Sequence, residues 1–76
     1  MSAPRDDAFA AWVRELRRRL GLSRVELGKR VGVGEGAVGD WERGRTVPGA
    51  AIPERLAELA EGVGQGPPPG QGDDGG

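Results

Sequence analysis

Phe9, Trp12, Val13, Leu16 and Leu20 recur at i, i+3, i+4, i+7 and i+11, the stripe that one face of an α-helix leaves in a sequence. Asp6 or Asp7 can cap the start of this first helix, and Gly21 can end it. A second, shorter helix opens at Ser23, because Ser23 and Glu26 stand in the Ser-x-x-Glu spacing that satisfies two orphan N–H groups reciprocally. Val25, Leu27 and Val31 supply its apolar contacts, and Gly32 provides the left-handed residue that stops it. Only Val33 then precedes the next start. A third helix is predicted from about Gly34 to Arg43, with Ala37, Val38 and Trp41 inward and Gly44 after it. Two helices this short joined by a Gly-containing turn are expected to cross steeply as a helix-turn-helix. Pro48 and Gly49 break the chain again. A fourth helix enters over residues 50–53, where a first turn tolerates Pro53, and turns Ile52, Leu56, Leu59 and Ala60 inward before ending by Gly62.

Three glycines fall inside these helices. Gly28, Gly36 and Gly39 each cost about 0.5–1 kcal/mol relative to alanine. The third helix, with two of them, is expected to fray in isolation, unless the glycines serve close approach by a partner, a phosphate or another helix. From Gly62 to Gly76 the chain is almost entirely Gly, Pro, Gln and Asp and cannot repay the entropy of ordering. The reading is therefore a flexible N-terminus over residues 1–5, a folded all-α bundle over 6–61, and a disordered linker or tail over 62–76.

Composition narrows the chemistry. The 76 residues contain no Cys and no His, which removes thiolate and imidazole metal sites, disulfides and any mechanism with a histidine base. A catalytic reading is left with carboxylates alone. Glu35 and Asp40 stand five apart on a short helix, the chain is too short for a closed pocket, and no phosphate-cradling loop is present. No cofactor and no metal are expected. No apolar run is long enough for a membrane and the first residues lack a signal-peptide layout, so the expected setting is the cytoplasm. Asn and Tyr are absent and Lys29 is the only lysine, the skew of a GC-rich bacterial gene.

The net charge of −1 conceals an uneven distribution. Between Arg14 and Arg45, nine basic residues face five acidic ones, a net of +4, whereas the chain from Thr46 onward carries −4 and the first thirteen residues −1. A basic middle between acidic ends suits a surface that meets a polyanion. A solvated charged face is the plainer alternative. For Arg14, Arg17, Arg18 and Arg19, complementing the carbonyl end of the first helix is a second one.

The run Leu16-Arg17-Arg18-Arg19-Leu20-Gly21-Leu22-Ser23-Arg24-Val25-Glu26-Leu27-Gly28-Lys29-Arg30-Val31-Gly32-Val33, followed by Trp41-Glu42-Arg43-Gly44-Arg45 and Pro48, resembles the phage repressor and Cro type of helix-turn-helix domain, the xenobiotic-response-element type. The resemblance spans roughly residues 12–61. It implies an all-α bundle of four to five helices that binds duplex DNA through the third, with the family's fifth helix missing or lost in the Gly/Pro tail.

Position by position, the resemblance assigns DNA-backbone contacts to Ser23, Arg24, Gly34, Arg43, Arg45 and Thr46, and base-facing places to Glu35, Gly36, Ala37 and Asp40. Arg17 and Glu42 match a pair that joins the first helix to the end of the third. A buried Arg–carboxylate pair of this kind acts as a structural clasp. The base-facing set departs from the family's usual Gln, Ser, Thr, Arg or Lys: glycine and alanine carry no polar group, and the two carboxylates accept from cytosine N4 but repel phosphate. For Glu35, stabilising the start of the helix dipole is the structural alternative. Trp12 and Trp41 lie on apolar stripes and read as core.

Two functions follow. One is a DNA-binding module of a bacterial or phage transcriptional regulator, nucleoid-associated and held mainly by phosphate contacts. A second copy would come from a homodimer formed through regions outside this fragment, or from whatever follows the linker, because one module covers only a half-site. The other is a protein-binding adaptor on the same scaffold, suited to the small, mildly acidic face of Glu35, Gly36, Ala37, Gly39 and Asp40.

Overall fold

Helices α1 (Asp7–Leu20), α2 (Arg24–Val31), α3 (Glu35–Glu42) and α4 (Ile52–Gly62) follow one another in the computed structural model, which describes residues 7–49 and 51–69. The fold is all-α. Asp6, one of the two caps expected for α1, lies outside the described residues, as do residues 1–5, read from the sequence as a flexible N-terminus, and the end of the tail from residue 70; Asp7 is the first residue of α1.

Every helix contributes to one core. Val13 and Leu16 of α1, Leu27 and Val31 of α2, Val38 of α3, and Leu56 and Ala60 of α4 are inaccessible to solvent. Phe9 holds the aromatic end of this core, stacked on Trp12 at 5.9 Å and meeting Trp41 edge-on at 6.2 Å between ring centroids. Ile52 and Leu59 pack on its margin. Val25 does not join it. At 43% exposure it points outward from the first turn of α2, because the eight-residue helix turns only the Leu27–Val31 edge inward.

The α2–turn–α3 unit is built from local rules. Glu26 donates its backbone N–H to Ser23 Oγ at 3.1 Å, and Ser23 donates its own to Glu26 Oε1 at 2.8 Å, closing the capping box. Gly32 ends α2 at φ +87°, and both its N–H and that of Val33 return to the Gly28 carbonyl at 2.7 and 2.8 Å. Gly28 is indispensable for a different reason: a Cβ there would lie 2.5 Å from the Val33 carbonyl oxygen and 3.3 Å from Gly34 backbone atoms. The turn rests directly on the bare backbone of α2. Arg55 of α4 adds a cation at the end of α2, donating from Nη1 to the Val31 carbonyl at 3.1 Å.

A buried carboxylate ties three helices together. Glu42, 6% exposed, accepts from Arg17 of α1 at 2.7 Å (Nε to Oε2) and 3.3 Å (Nη2 to Oε1), and from Arg24 Nε of α2 at 3.3 Å. Arg14 donates to the Glu42 backbone carbonyl, and Arg17 Nη1 reaches the Leu22 carbonyl at 3.3 Å. Burial pushes the Glu42 carboxyl up, but hydrogen bonds from Arg17 and Arg24 outweigh it and hold the group below the usual carboxylate range. On the outer side of α1, Glu15 is held at about 2 by hydrogen bonds from Arg18 and Arg19.

The sequence places the end of the packed chain before Gly62, yet the segment after α4 turns back onto α1. Gly64 adopts φ +72°, Gln65 Nε2 donates to the Trp12 carbonyl at 2.9 Å, and Trp12 Nε1 donates to the Gly66 carbonyl at 2.9 Å. Val63 packs against the core, and Arg19 Nη1 meets its carbonyl at 3.3 Å. Two side chains thus replace the burial that the composition of this stretch lacks.

Two pairs of variants test this account. Gly28→Ala lowers stability by about 1–3 kcal/mol through backbone overpacking, whereas Gly36→Ala, whose Cβ would meet open space, raises it by about 0.5–1 kcal/mol; urea denaturation of both separates close contact from helix propensity. Glu42→Ala costs about 3 kcal/mol, the low end for a buried pair because both arginines keep part of the guanidinium in water. A carboxyl lowered in the folded state stabilises fully above its ordinary value of 4.5 and loses that contribution as pH falls through the lower folded value. Thermal melts at pH 6 and pH 3 therefore show a smaller difference for Glu42→Gln than for the parent, with Glu15 and Glu26 retaining the remainder.

Candidate nucleic-acid interface

The short turn leaves one side of α3 uncovered. Glu35 and Gly36 are exposed there, with no atom near the place where a Cβ of Gly36 would stand, and Asp40 is half-exposed one turn further along. Ala37 does not belong to this face. It lies half-buried against the core, because at 100° per residue it shares a side with Val38 and Trp41. Gly34 stands at the N-cap of α3 in extended conformation and without a side-chain cap.

Ser23 and Arg24, at the start of α2, face α3 across an open cleft of about 370 Å³ whose other walls are Arg17, Val25 and Glu35. Ser23 is committed to its capping box, which holds the Glu26 carboxyl low chiefly through the Ser23 backbone N–H. Arg24 keeps half of its side chain exposed while its Nε is tethered to Glu42. The guanidinium of a residue assigned to the DNA backbone is thereby steered by the same carboxylate that clasps α1 to α3.

The turn after α3 brings the other arginines to the same place. Gly44 takes φ +76°, its N–H returns to the Trp41 carbonyl at 3.1 Å, and Arg45 N–H returns to the Asp40 carbonyl at 2.9 Å. Pro48 is buried and anchors the loop, leaving Arg43, Arg45, Thr46 and Val47 exposed. Arg43 folds back over α3: a Cβ on Gly39 would lie 3.3 Å from Arg43 Nη1 and 4.0 Å from Arg24 Cδ. Gly39 is the bare floor between two arginine side chains. Asp40 stands between Arg43 Nη1 at 3.9 Å and Arg45 Nη1 at 4.0 Å.

The site residues read from the sequence thus fall into two groups that meet over Gly39. Ser23, Arg24 and Glu35 share the cleft with Arg17, while Arg43, Arg45 and Asp40 share the end of α3; Gly34 and Thr46 are exposed on the flanking turns without entering either network. Each network sets one carboxylate between two arginines, Glu42 between Arg17 and Arg24, and Asp40 between Arg43 and Arg45. Arg14 and Val25 were not legible as parts of this region. Arg14 reads as one of a helix-terminal run and Val25 as core, and only the approach of α2 and α3 to α1 separates those readings from the observed ones. Among the described residues no helix is long and apolar enough to cross a membrane.

Comparison with known proteins agrees with this architecture. Over 80% of this chain and 76% of the other, the structure is similar to the solution NMR structure of the DNA-binding domain of the P22 C2 repressor (residues 1–76), with 28% sequence identity and a TM-score of 0.64. No curated protein matches the chain. A family model described as a helix-turn-helix domain matches residues 8–67, which include α1 from Ala8 onward, the other three helices and the segment that returns to Trp12. With most of its length inside that match, the chain belongs to the helix-turn-helix domain family.

Proposed function

We propose that the protein binds duplex DNA as the module of a bacterial or phage transcriptional regulator, with α3 at the major groove and phosphate contacts carrying most of the affinity. The observation that carries this reading is the convergence of Arg24 and Arg43 over the bare backbone of Gly39, with Arg45 beside them and the uncovered side of α3 next to all three. Guanidinium groups match phosphate oxygens in geometry and charge, and Gly39, buried beneath them, lets both arginine side chains lie close against α3. The likeness to a repressor's DNA-binding domain supports the same assignment. Ser23, Gly34 and Thr46 are the further backbone contacts in this proposal. The domain is a binding module, and the helix-turn-helix family to which it belongs is non-enzymatic.

Base readout is the weaker part of the proposed contact. Glu35, Gly36 and Asp40 are the side chains on the outward face, and none of them carries a hydrogen-bond donor at neutral pH. In the major groove carboxylates accept only from amino groups, best from cytosine N4, because adenine N6 stands beside the N7 acceptor. The same observation favours a second reading, an adaptor whose α3 face meets a protein with basic groups. In the DNA reading a second module, from a homodimer or another part of a longer protein, completes the site.

Fluorescence anisotropy against labelled random-sequence duplex, scanned from low to physiological salt, tests the proposal. The expected result is a linear fall of log affinity with log salt, at about 0.9 per phosphate contacted. Arg43→Glu combined with Arg45→Glu abolishes that binding while circular dichroism stays unchanged, since both side chains are more than half exposed. Absence of binding by the parent even at low salt sinks the DNA reading and leaves the adaptor.

A further inference from the structure

We propose that Asp40 is a built-in competitor for the phosphate-contacting arginines, and that it weakens the domain's hold on DNA of arbitrary sequence. This rests on the DNA reading above. Asp40 Oδ1 lies 3.9 Å from Arg43 Nη1 and 4.0 Å from Arg45 Nη1, so a single carboxylate oxygen occupies the position between two guanidinium groups that an incoming phosphate oxygen would take. Both distances exceed hydrogen-bond range. The contacts are therefore electrostatic restraints that a phosphate can displace, not a locked bidentate pair.

Beyond the weak i,i+3 pairing with Arg43, local physics argues against a carboxylate here. Asp40 is two residues before the end of α3, where the helix dipole presents its negative pole, and α3 has no basic residue in its last turn to offset it. Arg43 and Arg45, just beyond the helix, are the compensating charges, and the backbone hydrogen bonds from their N–H groups to the Asp40 carbonyl (3.2 and 2.9 Å) hold them at this distance. Glu42, two residues on, serves a different end: it is buried and clasps three helices, whereas the Asp40 side chain is 39% exposed and pairs with Arg43 and Arg45.

The consequence is a constant cost on every DNA encounter. To reach phosphate, Arg43 and Arg45 must leave Asp40, whose carboxylate then stands on the uncovered side of α3 near the DNA. Random sequence offers it repulsion. A site that presents a cytosine amino group at that position gives the freed carboxylate a donor, so the cost is recovered there and the ratio of preferred to arbitrary sites rises.

The test compares the parent with Asp40→Asn, which keeps side-chain shape and removes the charge. Two measurements are made: anisotropy against random-sequence duplex at low salt, and the ¹⁵N relaxation of the Arg43 and Arg45 Nε–H groups in the DNA-free protein. The variant is expected to bind about 3–10-fold tighter, as two exposed ion pairs of ordinary strength would give, and its two arginine side chains are expected to become more mobile. Tighter binding with unchanged arginine mobility overturns the proposal in favour of direct repulsion between Asp40 and phosphate. Unchanged affinity, in a parent that does bind DNA, overturns it outright. A parent that shows no binding at low salt fails at the earlier step, the DNA reading itself, and takes the proposal with it.

Discussion

The orientation of α3 depends on the charge of one buried carboxylate. Glu42 sits at the helix's last residue, nearly sealed from solvent, and draws Arg17 from α1 and Arg24 from α2 to its two oxygens while Arg14 takes its carbonyl. Apolar contacts between eight-residue helices tolerate a range of rotations, because burial is non-directional. A guanidinium–carboxylate pair has direction and loses most of its value when misaligned in a poorly solvated place. The core holds α3 down, and Glu42 sets which of its sides remains outside.

That arrangement also decides how many cations reach the surface as cations. Counted along the chain, the middle third is strongly basic, yet in the fold Arg17 is turned onto Glu42 and Arg18 and Arg19 onto Glu15. What faces outward beside α3 is a smaller set, Arg24, Arg43 and Arg45, and each of these also has a carboxylate within 4.0 Å. In the proposed DNA reading, a polyanion would meet arginines whose field is already trimmed by these carboxylates, which lowers indiscriminate attraction.

A domain this small needs every source of burial it can find. The return of residues 63–66 onto Trp12 supplies one: a Gly-Val-Gly-Gln-Gly segment has little apolar surface of its own, so it docks through one valine, one glutamine amide and two backbone carbonyls. The match of the helix-turn-helix family as far as residue 67 includes this segment. Composition argued for disorder from Gly62 because it weighs average side chains, while docking depended on one glutamine amide and one backbone carbonyl meeting a tryptophan more than fifty positions away in the chain.

The sequence by itself determined whatever depends on neighbours within about one helical turn: four helices, the Ser23–Glu26 capping box, the stops at Gly21, Gly32 and Gly44, the start near Pro53 and most of the core. These follow from periodicity and from which backbone conformations a residue allows, and both are local. The clasp of Arg17 with Glu42 was within reach only through resemblance to a known family. Tertiary structure alone decided that Val25 faces water and Ala37 the core, that Gly28 is a contact surface and not merely a weak helix former, that Arg24 leans on Glu42, and that Asp40 lies between Arg43 and Arg45. The exposure of Val25, the burial of Ala37 and the Arg24 contact turn on the angle at which short helices meet, set by partners 18 to 28 positions apart. Gly28, by contrast, meets Val33 and Asp40 meets the two arginines within six positions, through turn geometry that hydrophobic periodicity does not record.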